Sequence, residues 1–303
     1  MLLLNFATIV AAAVSLVSAA VPNSPRFDLT KPSYDLFRSK PLHDDTVQQG
    51  FAFDNKNRRL FVSQRRNGAS AASGDLTITQ LDFKGKKLGH MYLKGFGHGV
   101  SFGAQGVGSA TYLWTEVDAN SKGYGKRLAR FKFVNGATRT KSSSSLQKFA
   151  PVAAGKEHTC AVDTVNNRLV VRYHTSAGKR IAVFDLAAAT KGDFSNPLAD
   201  FKQPLPKTKA KNFQGYTAYG RYLYLLWGDS YDVSKELNSQ VATVDMNTGK
   251  VVQGPVITRA GSTLSFREAE GMAIYKTAAG QVRLFLGFAS GKPGDRRSNL
   301  MEK

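Results

Sequence analysis

The stretch Gln49-Gly50-Phe51-Ala52-Phe53-Asp54 combines a polar residue, a glycine and a short apolar run that leads into an acidic turn. Related stretches begin four more times along the chain, and the starts are separated by 49, 60, 56 and 56 residues. The five copies occupy residues 49–53, 98–102, 158–162, 214–218 and 270–274. An internal period of this length indicates a fold built from one repeated supersecondary unit.

Each repeat continues with further strand-like segments after a turn. In the first repeat these are Leu60-Phe61-Val62-Ser63-Gln64 and Leu76-Thr77-Ile78-Thr79-Gln80-Leu81-Asp82. Their alternation and their β-branched and aromatic content are typical of strands. About four strands in roughly 55 residues, repeated five times, predict an all-β protein, a single five-bladed β-propeller of four-stranded antiparallel blades.

The ends of the chain suggest how the ring closes. The fifth repeat runs out at residues 298–303, its third strand, and leaves nothing for a fourth. The strand-like segment Ser33-Tyr34-Asp35-Leu36-Phe37-Arg38 precedes the first repeat and has no blade of its own. Because an unpaired sheet edge is prone to aggregation, we expect this N-terminal strand to complete the last blade. The sequence thus predicts one propeller domain over residues 21–303.

Composition bounds the class of protein. The 303 residues include 42 Lys and Arg against 22 Asp and Glu, a net charge of +20, and 42% hydrophobic residues, which excludes intrinsic disorder. Residues 1–20 carry no charged side chain and end in Ser18-Ala19-Ala20, which predicts a signal peptide and a secreted, extracellular protein. No later apolar run is long enough for a transmembrane segment. The lone Cys160 excludes a disulfide framework within the chain.

Several strings resemble a known family of secreted propellers. They include Trp114-Thr115-Glu116-Val117-Asp118, Arg267-Glu268-Ala269-Glu270-Gly271-Met272 and Gly294-Asp295-Arg296-Arg297-Ser298-Asn299. The family groups phage receptor-binding propellers with teichoic acid biosynthesis protein C-like proteins, and it is loosely similar to helveticin-type bacteriocins. The resemblance covers nearly all of the chain after residue 20. It implies a propeller that binds a cell-wall polymer, and it brings no catalytic set with it.

The repeat itself identifies candidate binding residues. The inner strand of every blade lines the central channel, so corresponding positions converge on one mouth. Those positions hold Gln49, His98, His158, Gln214 and Glu270. Five polar side chains facing one cavity can bind a polyhydroxylated ligand, although polar residues also simply solvate a channel. Strand order predicts that further residues border the same mouth, namely Glu116, Asp118, Arg172, Tyr173, Tyr216, Arg267 and Glu268.

Two kinds of catalysis fit this set. A glycoside hydrolase needs two carboxyl groups across a sugar, which Glu116 or Asp118 could form with Glu268 or Glu270.

A uronate lyase instead needs a base beside a carboxylate that a cation neutralises, as His98 or His158 with Arg172 or Arg267 would provide. No metal site and no cofactor is predicted, since the two histidines lack the local spacing of a zinc site and no phosphate-binding loop is present.

The excess of positive charge points to the partner. Basic residues are scattered over many predicted turns, so the surface is broadly positive and concentrates acidic polymers around the molecule. Nucleic acid would feel the same field, but the chain contains no nucleic-acid motif and is predicted to be secreted. We therefore expect a monomeric secreted propeller that recognises a polysaccharide or cell-wall polymer of anionic character at its channel mouth. Cleavage of that polymer is the alternative, and a scaffold for another protein is a third possibility.

Overall fold

The computed structural model describes residues 20–303, so the predicted signal peptide lies outside the described residues except for Ala20. The strands in chain order are β1 Tyr34–Pro41, β2 Gln48–Asp54, β3 Arg59–Arg65, β4 Leu76–Leu81, β5 Lys87–Lys94, β6 Gly103–Val107, β7 Ala110–Ala119, β8 Gly125–Lys132, β9 Thr138–Thr140, β10 Gln147–Phe149, β11 Lys156–Asp163, β12 Arg168–Thr175, β13 Gly178–Asp185, β14 Ala199–Lys202, β15 Phe213–Tyr219, β16 Tyr222–Trp227, β17 Gln240–Asp245, β18 Lys250–Ile257, β19 Glu268–Lys276, β20 Val282–Lys292 and β21 Asp295–Glu302. The described helices are the short α1 (Leu186–Thr190) and a 3-10 turn at Ala71–Ser73. None of the helices in this part of the chain is long and apolar enough to cross a bilayer.

The strands form five sheets, one for each predicted repeat. From the innermost strand outward, blade one is β2-β3-β4-β5, blade two is β6-β7-β8-β10 and blade three is β11-β12-β13-β14. Blade four is β15-β16-β17-β18, and blade five is β19-β20-β21-β1. The predicted five-bladed propeller is therefore confirmed. The N-terminal strand closes the ring as expected, because β1 pairs antiparallel with β21 from Tyr34 opposite Glu302 to Pro41 opposite Arg297.

Blade one differs from the predicted four-stranded pattern. The short strand β9 leaves blade two and pairs parallel with β5, from Tyr92 opposite Thr138 to Lys94 opposite Thr140. Blade one therefore has a fifth, outermost strand. This strand covers the edge of blade one and links it to blade two, which is a common way of protecting an exposed sheet edge.

Hydrophobic cores lie between neighbouring blades rather than in the centre of the ring. Each of five buried clusters draws its members from two adjacent blades, as Phe61 of blade one and Phe131 of blade two do in one of them. The second strands are buried on both faces, which explains continuous apolar runs such as Leu223-Tyr224-Leu225-Leu226-Trp227. Burial between sheets thus fixes the blades side by side.

Aspartates in the turns between first and second strands form hydrogen bonds to a neighbouring blade on the face opposite the mouth. Asp54 ends β2, and one of its carboxylate oxygens accepts hydrogen bonds from the backbone N–H groups of Lys56 and Asn57, both at 3.0 Å. Its other oxygen accepts a hydrogen bond from Thr111 of blade two at 2.5 Å. Asp163 makes the same turn in blade three and accepts the N–H of Gly220 in blade four at 2.7 Å. The Asp that follows an inner strand therefore shapes its own turn and also binds the neighbouring blade.

Glycines close the axis of the ring. A Cβ atom on Gly271 of blade five would lie 2.8 Å from the Cα of Gly50 in blade one, and one on Gly50 would lie 2.9 Å from the carbonyl oxygen of Gly99 in blade two. A Cβ atom on Gly215 of blade four would lie 3.0 Å from the Cα of Gly271. Three inner strands and the loop that precedes β6 thus meet backbone to backbone, and glycine at positions 50, 215 and 271 is needed for that contact. Blade three has Thr159 at this position, and its hydroxyl instead contacts the hydroxyl of Tyr216 at 3.3 Å.

The closing strand can be tested by truncation. A chain that begins at Ser39 lacks most of β1, including the buried Phe37, whose loss alone costs about 3 kcal/mol. A chain that begins at Ser33 keeps β1 and is the control. We expect the shorter chain to melt at a lower temperature and to aggregate in size-exclusion chromatography, since β21 becomes an open edge. Equal melting temperatures for the two chains would contradict closure by β1.

The axial contact can be tested with two glycine substitutions. Gly271→Ala places a methyl group against the backbone of Gly50, whereas Gly280→Ala, in a turn with a similar positive φ, meets nothing within 4 Å. Both changes strain the backbone by about 1 kcal/mol, and only the first also overpacks the axis, so we expect about 3 kcal/mol or more for Gly271→Ala. Urea denaturation measures both values. Similar losses in the two variants would show that the axis has room for a side chain.

Candidate functional site

A cavity of about 1190 Å³ opens at the mouth face of the ring. Its wall comes from the turns that join second and third strands and from the connections that lead into each inner strand. The glycine contact between the inner strands lies beneath it. The mouth is therefore a cup with side chains from all five blades on its wall, a form typical of ligand-binding sites.

Half of the predicted site residues line this cup. They are Gln49, His98, Arg172, Gln214, Glu268 and Glu270. Four of the inner strands have a one-residue bulge at the repeated polar position, for example between Gln48 and Gly50 and between Phe213 and Gly215. A bulge re-aims the side chains near it, and it marks the point where the inner strand reaches the mouth.

His158 and Tyr173 lie inside blade three and do not line the cup. His158 has no exposed surface, and its Nδ1 donates a hydrogen bond to the backbone oxygen of Lys126 in blade two at 2.8 Å. Its ring stacks on Tyr173, with centroids 6.2 Å apart. The Tyr173 hydroxyl donates to Asp200 at 2.8 Å, toward the outer strand of the blade. On the inner strand of this blade, Glu157 and Thr159, the residues on either side of His158, line the cup instead.

Arg267 and Tyr216 are also structural in this arrangement. Arg267 has no exposed surface, and its guanidinium donates to the backbone oxygens of Ala260 and Thr258 at 2.8 and 3.0 Å. The Tyr216 hydroxyl is buried beneath blade three, where it accepts the backbone N–H of Arg172 at 3.1 Å. Both side chains therefore hold backbone that leads to the cup and do not line it themselves.

The two predicted carboxylates of blade two lie outside the cup as well. Asp118 forms ion pairs with Arg127 and Lys148 at 2.5 and 2.8 Å, and these interactions hold its pKa below the ordinary range against the opposing effect of burial. Glu116 is fully buried, and burial raises its pKa to about 7. Neither side chain is therefore placed to face Glu268 or Glu270 across a sugar.

Glu268 and Glu270 form a hydrogen-bonded pair of carboxyl groups on the blade-five wall. Burial raises the pKa of both, and the neighbouring Glu268 raises that of Glu270 further, to well above its ordinary value. Arg296 and the amide of Gln214 stabilise the charged form of Glu268. Two carboxyl groups in contact cannot both ionise readily, so this pair ionises less readily than two separate carboxyl groups. Its oxygens can accept hydrogen bonds from a hydroxylated ligand, and a protonated carboxyl group can also donate one.

A stacked pair of rings forms the blade-two wall. His98 lies parallel to Tyr124, with centroids 5.4 Å apart and planes inclined by 23°, and Tyr124 is 37% exposed. Burial lowers the pKa of His98, and Arg65 across the gap lowers it further, so the ring is neutral at pH 7. The repeated pattern predicted His98 as a site residue and did not predict Tyr124. The position of its turn between a second and a third strand was the signal that Tyr124 reaches the mouth.

Four cations on the wall make no hydrogen bond or ion pair through their side chains in the described chain, although the carboxylate of Glu157, which also lines the cup, attracts Lys179. The side chains of Arg65, Lys122, Lys179 and Lys211 all line the cup. Within residues 20–303, none of them makes a hydrogen bond or an ion pair. Sequence reasoning had placed such residues on a broadly positive surface, without a focus. Their unpaired charges instead point to one cavity.

The described residues do not offer a metal centre. In residues 20–303, no three side chains of His, Cys, Asp or Glu converge closely enough to hold a metal ion.

Comparison with known proteins agrees with the fold. The chain is 29% identical over 286 residues to a Bacillus subtilis (strain 168) protein that carries the name major teichoic acid biosynthesis protein C. That match covers 90% of this chain, and the chain spans 63% of the length of the relative. Among solved structures, the tail fiber of Staphylococcus aureus phage P68 matches with a TM-score of 0.71 and 18% identity over 91% of this chain and 53% of the fiber. An α-L-arabinofuranosidase from Lactobacillus brevis matches with a TM-score of 0.51 and 10% identity, over 86% of this chain and 92% of the enzyme.

The match to a family extends over the whole ring after β1. The phage 5-bladed beta propeller receptor binding platform domain matches residues 47–301, which includes the inner strand of every blade and most of the closing blade. This chain therefore belongs to the family of phage five-bladed β-propeller receptor-binding platform domains.

Proposed function

We propose that the protein binds an anionic glycopolymer of the cell-wall or polysaccharide type in the cup at the propeller mouth. The observation that carries the proposal is the set of four unpartnered cations on one concave wall. Unpaired ammonium and guanidinium groups in a cleft attract and bind phosphate or carboxylate groups. The family description as a receptor-binding platform and the name of the Bacillus subtilis relative support a polymer of the cell surface as ligand.

The rest of the wall suits the sugar part of such a polymer. The exposed face of Tyr124 offers an apolar surface for a sugar ring. The amides of Gln49 and Gln214 and the carboxyl groups of Glu268 and Glu270 can exchange hydrogen bonds with hydroxyl groups. A ligand with alternating anionic and hydroxylated parts would contact both the cations and the hydrogen-bonding side chains of the wall. The outer parts of the polymer would leave through the open mouth.

Cleavage by paired carboxylates has less support. The predicted partners Glu116 and Asp118 lie outside the cup. Glu268 and Glu270 are in mutual hydrogen-bond contact, closer than the separation of about 5 Å or more that glycoside hydrolases use. Elimination at a uronate is the better-supported second candidate, because His98 and Arg172 both line the cup.

Secretion forms part of the proposal. Residues 1–20 would be removed as a signal peptide, and the first residue after them, Val21, is held in the folded domain. The backbone N–H and carbonyl of Val21 exchange hydrogen bonds with the amide of Asn247 at 2.7 and 2.8 Å, and the Val21 side chain is buried. A cut after Ala20 would keep these contacts.

The contribution of the cup cations to binding can be measured separately from that of cations elsewhere on the surface. Lys179→Gln with Lys211→Gln removes two wall cations, while Lys56→Gln with Lys276→Gln removes two exposed ones from turns at the opposite end of the blades. We expect the first pair to weaken the binding of polygalacturonate or poly(glycerol phosphate) by about 2 kcal/mol, which is about 30-fold in Kd. Titration calorimetry at two salt concentrations should also show a smaller salt dependence. Equal effects of both pairs would leave only a diffuse surface field.

Processing has a direct readout. Expression of the full chain in a secreting host should release a protein whose N-terminal residue is Val21, because the small residues before it fit signal peptidase. Mass spectrometry of the intact secreted protein measures this. A protein retained in the cell with Met1 in place would exclude secretion by this segment.

A further inference from the structure

His98 and Tyr124 form a ring pair that is free to act on a ligand. Both side chains line the cup, and their rings are stacked. In the described chain, neither the imidazole nitrogens of His98 nor the hydroxyl of Tyr124 takes part in a hydrogen bond. By contrast, the buried His158 and Tyr173 have hydrogen-bond partners within the blades. A neutral imidazole can act as a base and a phenol as an acid, and here neither group is engaged in a hydrogen bond within the described part of the protein.

One buried carboxylate holds both rings in place. An oxygen of Glu116 accepts the backbone N–H of Gly99 at 2.8 Å, directly after His98, and the N–H of His98 also points to this carboxylate. The other oxygen accepts the N–H of Gly125 at 2.6 Å, directly after Tyr124. A Cβ atom on Gly97 would collide with the same carboxylate, so position 97 of this loop requires glycine. Glu116 thus fixes the spacing of two loops that come from different parts of blade two.

Arginines border the ring pair on both sides. Arg65 from blade one lies near enough to His98 to act on its charge. Arg172 from blade three lies near the phenol of Tyr124 and packs its guanidinium over the ring of Phe213 at 4.5 Å. The Nε of Arg172 donates to Gln203 at 2.8 Å, and its two terminal nitrogens have no hydrogen-bond partner in the described chain. Those nitrogens are free to bind a carboxylate in the bidentate manner.

We propose that this cluster is a lyase site for polymers of 1,4-linked uronic acid, with His98 as base, Tyr124 as acid and Arg172 as the carboxylate clamp. His98 takes the proton from C5 of the uronate, next to the carboxylate that Arg172 neutralises. The electron pair of that C–H bond forms the C4–C5 double bond, and the bond from C4 to the glycosidic oxygen breaks. The leaving oxygen takes the proton of Tyr124, and the proton on His98 returns to Tyr124 through water. No oxidant and no net water are consumed.

The inference rests on the proposed function, because it needs an anionic polymer in the cup. It develops the second candidate above, elimination at a uronate, into a site with a 1,4-linked substrate and with Tyr124 as the acid. The competing reading is that Tyr124 and His98 only form a stacking surface for a sugar. The two readings differ in one group: stacking uses the rings, whereas elimination also needs the Tyr124 hydroxyl and a His98 nitrogen.

The test uses the secreted chain with polygalacturonate, glucuronan and alginate, and dextran as a neutral control. Elimination creates a conjugated double bond, so the ultraviolet absorbance should rise with at least one uronate polymer and not with dextran. Binding is measured separately by calorimetry on the same polymers. These two readouts distinguish turnover from recognition.

Tyr124→Phe is the decisive variant, because it keeps the stacked ring and removes the hydroxyl. We expect the turnover rate to fall by about 100-fold or more while the Kd changes by less than about threefold. His98→Ala should have a loss at least as large. The matched controls are Tyr34→Phe, on the exposed part of β1, and His90→Ala, on the outer strand β5. Both should retain full turnover.

The pH profile tests the assignment of the base. Because burial and Arg65 lower the pKa of His98, its neutral form persists to a lower pH than usual. The value of kcat/KM should therefore be level near neutral pH and fall only below the ordinary histidine value of about 6.5. Glu116→Gln, a change in a positioning residue, should lower kcat with little effect on KM, since it loosens both loops and leaves the clamp intact. A variant that raises KM alone would show that Glu116 only shapes the binding wall.

Each negative result has a distinct meaning. If the uronate polymers bind without any rise in absorbance, or if Tyr124→Phe turns over at the full rate, the lyase inference is wrong and the proposed binding function stands. If poly(glycerol phosphate) binds and no uronate polymer does, the substrate class is wrong and binding again stands. If no anionic polymer binds, both proposals fail.

Discussion

The backbone contact of four glycines at the axis is the constraint on which the ring depends. Gly50, Gly99, Gly215 and Gly271 belong to four different blades, and their backbones approach to distances that no side chain would allow. A ring of five blades needs its inner strands to converge, and their convergence brings the head of each strand to one mouth. The glycines of this contact therefore let the inner ends of the blades approach closely enough for the ring to form.

Glu116 shows how the fold and the site depend on each other. Removing a carboxyl group from water is unfavourable, and the raised pKa of Glu116 reflects that cost. Three backbone N–H groups offset part of it, those of His98 and Gly99 before β6 and that of Gly125 at the start of β8. A group that is unfavourable for stability and fully occupied with loop backbone is typical of a residue that positions a site. The two oxygens of this carboxylate set the spacing of His98 and Tyr124, so Glu116 positions both rings.

The strands and the closure were predictable because they follow from local pattern and from counting. Period-two alternation indicates strands wherever it occurs, and a missing fourth strand can only come from the other end of a closed ring. The direction of individual side chains was not predictable to the same degree. His158 matches the repeated polar position, yet Thr159 replaces the glycine beside it, and the imidazole is buried against Lys126. Tyr124 does not occupy the repeated polar position, and it reaches the mouth from the turn between the second and third strands of blade two.

The uneven use of charges explains how a positive protein acquires a focused field. The chain has 22 acidic residues and 42 basic ones, and many of the acidic residues are engaged in structural hydrogen bonds or ion pairs. Asp54 and Asp163 shape turns on the far face, Asp118 is paired in blade two, and Glu116 is bound by backbone. The carboxyl pair of blade five ionises less readily than two separate carboxyl groups, because burial raises both pKa values and the contact with Glu268 raises that of Glu270 further. In the cup, six arginines and lysines of the described chain face five carboxyl groups, those of Asp45, Asp75, Glu157, Glu268 and Glu270. Because the blade-five pair ionises less readily, the balance in the cup is positive, and a concave wall concentrates that field on an anion that enters it.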